Sequence, residues 1–177
     1  MIKLMCEKIA RIIKNKNELE KKLSVKIQNR GKEITIIGEP DDEYVAEKVI
    51  YALEFGFPFS IAMLIKEEDY MFETINIKNF TKRKDLETIR ARIIGKKGRT
   101  LATLSELTKC YFEIKENKIG IIGDADYIKS AQDAIIYLIQ GSKQANVYDL
   151  LEKHQPKPIV DFGLKEIKKS KKKNSKG

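Results

Sequence analysis

Four consecutive residues carry the clearest chemistry in the chain: Gly95-Lys96-Lys97-Gly98. A short turn with glycine at both ends lets its backbone approach a phosphate closely. A Cβ at either glycine would hold the anion away, and glycine tolerates the sharp dihedrals such a turn needs. Arg99 and Thr100 follow as the start of a helix, whose free N–H groups and positive dipole end face the same place. Lys96 and Lys97 add positive charge at the mouth. This is chemistry for gripping a phosphodiester, with no group placed to break one. A nucleoside-triphosphate loop is excluded, because no Gly-Lys-Ser/Thr follows four residues after a glycine.

Around the turn, Ile94, Leu101 and the stretch Cys110 to Ile114 are expected to form flat apolar walls that take unstacked bases. Arg90, Arg92 and Arg99 are placed to reach a nucleic-acid backbone or stack on bases. Arg90 reads equally well as part of a solvated helix face.

The charge pattern agrees with this placement. The 177 residues carry 35 basic and 26 acidic side chains, a formal net charge of +9. Residues 82–99 hold eight basic and two acidic side chains, and residues 165–177 hold seven and one. Residues 1–81 and 100–164 are both slightly acidic, at −1 and −2. The excess thus sits in two segments. A basic excess favours polyanions, nucleic acid or acidic lipid. The terminal segment, KEIKKSKKKNSKG, is expected to be a disordered tail that either binds phosphates without reading sequence or simply solubilises the chain.

The rest of the inventory removes other classes. Cys6 and Cys110 lie far apart and in no metal-binding frame, which points to a reducing compartment. His154 is the only histidine and reads as an exposed helix-end residue. Histidine-based metal sites and Ser/His or Cys/His catalysis therefore lack their central residue. No catalytic residue, metal ligand or cofactor site is read. The acids are expected in solvated helical patterns, such as Asp41-Asp42-Glu43 at a helix start. The longest apolar run, Phe55 to Ile65, is broken by Gly56, Pro58 and Ser60, short of the ~20 residues a span needs. The start of the chain lacks a signal-peptide layout. A cytoplasmic monomer without a membrane partner is expected.

The elements that must position the turn come as a repeat. Residues 35–56 align with residues 120–141 at a constant offset of 85, with eight identities in 22 positions. These include Gly38/Gly123, Ala46/Ala131, Ile50/Ile135, Leu53/Leu138 and Gly56/Gly141. Upstream, Ala10-Arg-Ile-Ile13 matches Ala91-Arg-Ile-Ile94. In the second copy the alternation of Met71 to Ile77 predicts a strand. Helices are predicted over 84–94 and 99–108, then a hairpin of 110–114 with 118–122 whose second strand Gly123 ends. A helix capped by Asp124 and ended by Gly141 follows, then another over 146–153.

The first copy has Lys14-Asn15-Lys16-Asn17 where the second has its glycines. From Ile13 to Ile27 is 14 residues, against 20 from Ile94 to Ile114. Aligning those isoleucines implies six residues missing around the turn and a hairpin two residues longer. The first copy reads mainly as a packing or protein-binding module, with direct RNA contact the lesser alternative. The run Phe55 to Ile65 is expected to be a helix wedged between the copies.

Strand, helix, GxxG, helix, strand, strand, helix is the order of a type I KH module. Ile93-Ile94-Gly95-Lys96-Lys97-Gly98-Arg99-Thr100-Leu101 fits the KH signature. Such a loop clamps a single strand of about four nucleotides. The fold class is α+β: two tandem type I KH domains, each a three-stranded antiparallel sheet packed by helices. The divisions are a KH domain without GxxG and with an extra helix (1–68), a KH domain with the GKKG loop (69–155) and the basic tail (156–177).

More specifically, the chain resembles the Partner-of-Nob family, two-KH-domain assembly factors of the small ribosomal subunit. The likeness lies in Gly56-Phe-Pro, Leu64, Asp69-Tyr70, Arg90 to Thr100, Ile121-Ile-Gly123, Leu138 to Ser142 and Asn146-Val-Tyr148. The absence of GxxG from the first copy departs from many archaeal members and is similar to eukaryotic ones, whereas the length is archaeal-like. The resemblance implies binding of single-stranded small-subunit rRNA near its 3′ end, and cooperation with the Nob-type endonuclease that trims that end. It carries RNA contact to Gly95, Lys96, Lys97, Gly98, Arg99 and Thr100, with Arg90 and Arg92 nearby. The function expected is non-catalytic. A general KH-type regulator of mRNA, a metal-dependent nuclease and a protein adaptor are the competing classes. RNA crosslinking, metal-dependent cleavage and RNA affinity respectively would separate them.

Overall fold

The computed structural model describes residues 1–155. The expected tail, 156–177, lies outside the described residues. The elements in order are β1 (Ile2–Met5), α1 (Ile9–Lys14), α2 (Lys16–Leu23), β2 (Lys26–Arg30), β3 (Glu33–Ile37), α3 (Pro40–Phe55), α4 (Phe59–Ala62), β4 (Tyr70–Asn76), α5 (Leu86–Ile94), α6 (Arg99–Thr108), β5 (Tyr111–Lys115), β6 (Lys118–Asp124), α7 (Ala125–Ile139) and α8 (Gln144–His154). Short 3-10 turns occupy Met63–Lys66, Ile77–Asn79 and Lys96–Gly98.

Two antiparallel three-stranded sheets form, in the orders β1-β3-β2 and β4-β6-β5. In each, the last strand of its unit lies in the middle, so both units share one topology. The correspondence extends to backbone detail. Ser24 and Lys109, Gly31 and Glu116, and Gly56 and Gly141 all have positive φ, each pair 85 residues apart. Both hairpins close over two residues, Gly31-Lys32 and Glu116-Asn117, because Arg30 pairs with Glu33 and Lys115 with Lys118. The longer first hairpin expected from the sequence is therefore wrong. Ile27 matches Phe112, not Ile114. The offset changes only from 81 to 85, so four residues are missing, all between the first helix and the end of the second.

The helical stripes are core, as their spacing predicts. Ala46, Val49, Ile50 and Leu53 of α3 are buried, and so are Ala131, Ala134, Ile135 and Leu138 of α7. The Asp124 carboxylate accepts from the Asp126 N–H at 2.8 Å and caps α7. The strand before it runs one residue past Gly123, to Asp124. The two equivalent glycines, Gly38 and Gly123, exist for packing. A Cβ on Gly38 would lie 2.9 Å from Val25 Cγ1, and one on Gly123 would lie 2.3 Å from Cys110 Sγ. Helix α5 starts at Leu86 rather than Lys84, and Arg83 Nε donates to Asp85 Oδ1 at 2.9 Å just outside it.

The run Phe55 to Ile65 is not one helix. It ends α3 at Phe55, turns at Gly56 with φ of 139°, and resumes only as α4 and a 3-10 turn. Pro58 supplies no N–H and forbids continuation. The run does, however, wedge between the units. Strand β6 is buried from Ile119 to Gly123. Ile119 and Ile121 face the second unit's own helices, while Ile122 joins the core of the first unit. Gly120 leaves room on that back face for two rings: its missing Cβ would stand 2.9 Å from both Phe55 Cε1 and Phe57 Cε2. Phe55, Phe57 and Phe72 then pack with centroids 5.9 to 6.1 Å apart, Phe72 edge-on to the other two. Edge-to-face pairs are favoured by the ring quadrupole.

Candidate nucleic-acid interface

The turn between α5 and α6 is tight and unusually shaped. The Gly95 N–H donates to the Ala91 carbonyl at 2.9 Å, ending α5, and the Gly98 N–H donates to the Gly95 carbonyl at 3.2 Å. Gly95 adopts φ 75°, ψ 173°, Lys97 φ 55°, ψ 31°, and Gly98 φ 73°, ψ 12°. The first of these is a region essentially restricted to glycine. It is also crowded: a Cβ on Gly95 would fall 2.1 Å from Thr100 Oγ1 and 2.7 Å from Thr100 Cβ and N. Gly98 has open space around it, so only its backbone angle matters.

Thr100 is therefore buried under the turn, whereas Lys96, Lys97 and Arg99 are exposed. The first turn of α6 leaves N–H groups without helical partners. The turn thus presents backbone donors, a helix dipole and three cations to solvent on a floor that glycine alone fits. One residue outside the sequence expectation supports it. Gln144, the first residue of α8, places its amide nitrogen 3.4 Å from the Arg92 carbonyl and 3.5 Å from Thr100 Oγ1. It thereby ties together the helices on either side of the loop. Neither turn chemistry nor periodicity marks it in the sequence.

The arginines separate. Arg99 sits at the turn. Arg90 donates to the Glu116 carbonyl at 2.9 Å, joining α5 to the β5–β6 turn. Arg92 points to the end of α7, where it donates to the carbonyls of Leu138 and Gly141, each at 3.2 Å, and of Ser142. Of the expected apolar walls, Ile94 is exposed and Leu101 and Phe112 half-buried. Cys110 is sealed beneath Gly123 and offers nothing to a base.

The first unit has no such turn. Helices α1 and α2 are joined by Asn15 alone, which donates its side chain to the Arg11 carbonyl at 2.8 Å and accepts from the Leu19 N–H at 2.9 Å. Glu43 also departs from the expected solvated pattern. It is buried, and the terminal amine of Met1, together with the Gly38 N–H that it accepts from at 2.9 Å, holds its carboxyl below the usual range. Among the described residues no cluster of three or more His, Cys, Asp or Glu is arranged to hold a metal. No helix among them is long and apolar enough to cross a membrane.

A helix–GKKG–helix unit on a β4-β6-β5 sheet is the arrangement of a KH-type nucleic-acid-binding module. Residues 71–156 match the family model for the second KH domain of PNO1, described as a eukaryotic type KH-domain of type I. A KH domain-containing protein of Methanocaldococcus jannaschii is 26% identical over 149 residues, covering 80% of this chain and 66% of that one. The pre-rRNA-processing protein PNO1 of Candida glabrata is 32% identical over 100 residues, 55% of this chain and 38% of its own. The chain thus spans less than two thirds of these relatives. In a solved a/eIF2alpha–aDim2p–rRNA complex from Pyrococcus horikoshii, a chain with 28% identity superposes with a TM-score of 0.79 over 86% of this chain and 92% of its own. Residues 71–156 thus carry a KH domain of the PNO1 type, and the chain as a whole is similar to the PNO1/Dim2 group of KH proteins, the Partner-of-Nob family.

Proposed function

We propose that this protein is a non-catalytic RNA-binding factor of small-subunit assembly and pre-rRNA processing. Its Gly95–Gly98 loop holds single-stranded 16S-type rRNA near the 3′ end. Gly95, Lys96, Lys97, Gly98, Arg99 and Thr100 form the phosphate grip, and Ile94 and Leu101 offer apolar surface to bases. Arg90 and Arg92 shape the grip by holding the β5–β6 turn and the end of α7. The two units are read as tandem KH domains, 1–68 and 69–155, of which the first supports or docks a protein such as the Nob-type endonuclease. The protein is read as a cytoplasmic monomer.

One observation carries this reading: the turn at Gly95 is crowded against Thr100 so that only glycine fits, and its outer side is left to cations and backbone donors. The relatives named for pre-rRNA processing and the neighbour solved with rRNA support the choice of RNA. The test is a variant carrying Lys96→Asp and Lys97→Asp. Its affinity for a single-stranded fragment of the 3′ end of small-subunit rRNA should fall by about tenfold or more at fixed salt. Binding equal to wild type would overturn the reading.

A further inference from the structure

A cleft away from the loop lies between the two units and has a volume of about 580 Å³. The first unit contributes Met5, Lys48 and Tyr51, and the second contributes Phe72, Lys115 and Lys118. We infer that this cleft is a second base-binding subsite for the RNA strand whose backbone the Gly95–Gly98 loop holds. The inference rests on the reading above and deepens it.

The chemistry of the walls suits a nucleotide. Tyr51 leaves 44% of its surface exposed and Met5 67%, so an aromatic face and a soft thioether are open to a flat ring. Stacking on such surfaces tolerates any base. Lys115 is committed to Glu54 at 3.8 Å, a carboxylate that also accepts from the Glu7 N–H at 3.0 Å. Among the described residues Lys48 and Lys118 pair with no carboxylate; Lys48 lies over the Tyr44 ring at 5.3 Å, which leaves Lys118 as the freer cation for a phosphate. Glu73 and Glu116 face the same space. Carboxylates repel a bare polyanion but accept hydrogen bonds from the amino groups of bases. The mixture therefore favours a base with its phosphate over a polyphosphate alone. The volume is in the range of pockets that enclose small ligands.

Position links the cleft to the loop. The β5–β6 turn touches both sides: the Glu116 carbonyl accepts from Arg90 of α5, the helix that leads into the loop, and Lys115, Glu116 and Lys118 line the cleft. A loop that grips about four nucleotides leaves a longer strand free to continue past that turn.

The experiment compares a tetranucleotide with a single strand of about ten nucleotides from the rRNA 3′ end, by fluorescence anisotropy on the whole chain. The paired substitution Tyr51→Ala and Lys118→Glu should weaken the longer strand by about tenfold and leave the tetranucleotide and thermal unfolding unchanged. Equal binding of the longer strand by variant and wild type would overturn the subsite. So would a variant that lost only a protein partner, which would make the cleft a peptide site. The Lys96→Asp, Lys97→Asp protein run in parallel separates the two readings. If it binds both strands normally, the loop reading fails regardless of the cleft.

Discussion

Arg92 donates to the carbonyl of Gly141, and Arg11, its counterpart in the first unit, donates to the carbonyl of Gly56 at 2.8 Å. In both units an arginine from the first helix thus grips the glycine just past the long helix that follows the hairpin. The carbonyls at a helix C-terminus lack partners and carry partial negative charge, so a guanidinium there satisfies both needs. Arg92→Ala should destabilise the protein by about 1.5–3 kcal/mol, the range of hydrogen bonds to a charged group. Chemical denaturation checks this. Arg92→Lys, lacking the planar fork, should recover only part of the loss.

Gly95 and Gly98 should respond differently to one added methyl. Gly95→Ala meets Thr100 and keeps a glycine-only backbone, so it should cost more than about 2 kcal/mol. Gly98→Ala meets nothing and should cost about 1–2 kcal/mol for its left-handed angle. Adding Thr100→Ala to Gly95→Ala should rescue only partly, because Thr100 Cβ and N remain 2.7 Å from the new carbon. Urea titrations of the three variants test the order.

The lysines should show in the salt dependence of RNA binding. Neutralising a phosphate contact reduces the slope of log K against log salt by about 0.7 for a single strand. Lys96→Gln and Lys97→Gln should each reduce it by about that amount with no change in melting temperature. Anisotropy titrations at several salt concentrations give the slope directly.

Both cysteines should be silent to thiol reagents at neutral pH. Burial, reinforced by the Glu54 carboxylate, pushes the Cys6 thiol up to about 11. Burial likewise pushes Cys110 up to about 11. Both folded values exceed the ordinary 9.0, so the unfolded chain loses these protons first as pH rises. Stability from these groups is complete below pH 9 and declines between about 9 and 11. A thiol-reactive dye added before and after denaturant, and melting temperature against pH, test the two halves of this statement.

The aromatic wedge should be costly to disturb. Phe57→Ala removes a buried ring from the junction of the units and should cost about 3–5 kcal/mol. Gly120→Ala adds a carbon 2.9 Å from two rings and should cost about 1–3 kcal/mol through overpacking. Calorimetry of both variants gives the comparison.

Local chemistry made the loop and the strand–helix order legible. GxxG, the alternation of Met71 to Ile77 and the capping Asp124 each act within a few residues. The length of the first hairpin was misread because Ile27 and Ile114 look alike, whereas register is set by a two-residue turn with Gly31 or Glu116 in a left-handed conformation. The hold of Arg92 on the end of α7 was not legible, because its charge was visible and its partners were not. The signal existed, since both Arg11/Arg92 and Gly56/Gly141 stood in the aligned copies. Gln144 and the inter-unit cleft were invisible because they depend on how distant elements dock.

The wedge of Phe55 and Phe57 is a plug, and Gly120 is its socket. Neither is duplicated. The counterparts of the plug in the second unit are Gln140 and Ser142, and the counterpart of the socket in the first is Thr35. A unit bearing both features would offer a plug to the next copy and a socket to the previous one, a head-to-tail contact that builds rings or open filaments. By giving each half only one side of the joint, the chain buries its aromatic plug within itself and leaves no matching socket on the first unit for another copy's plug.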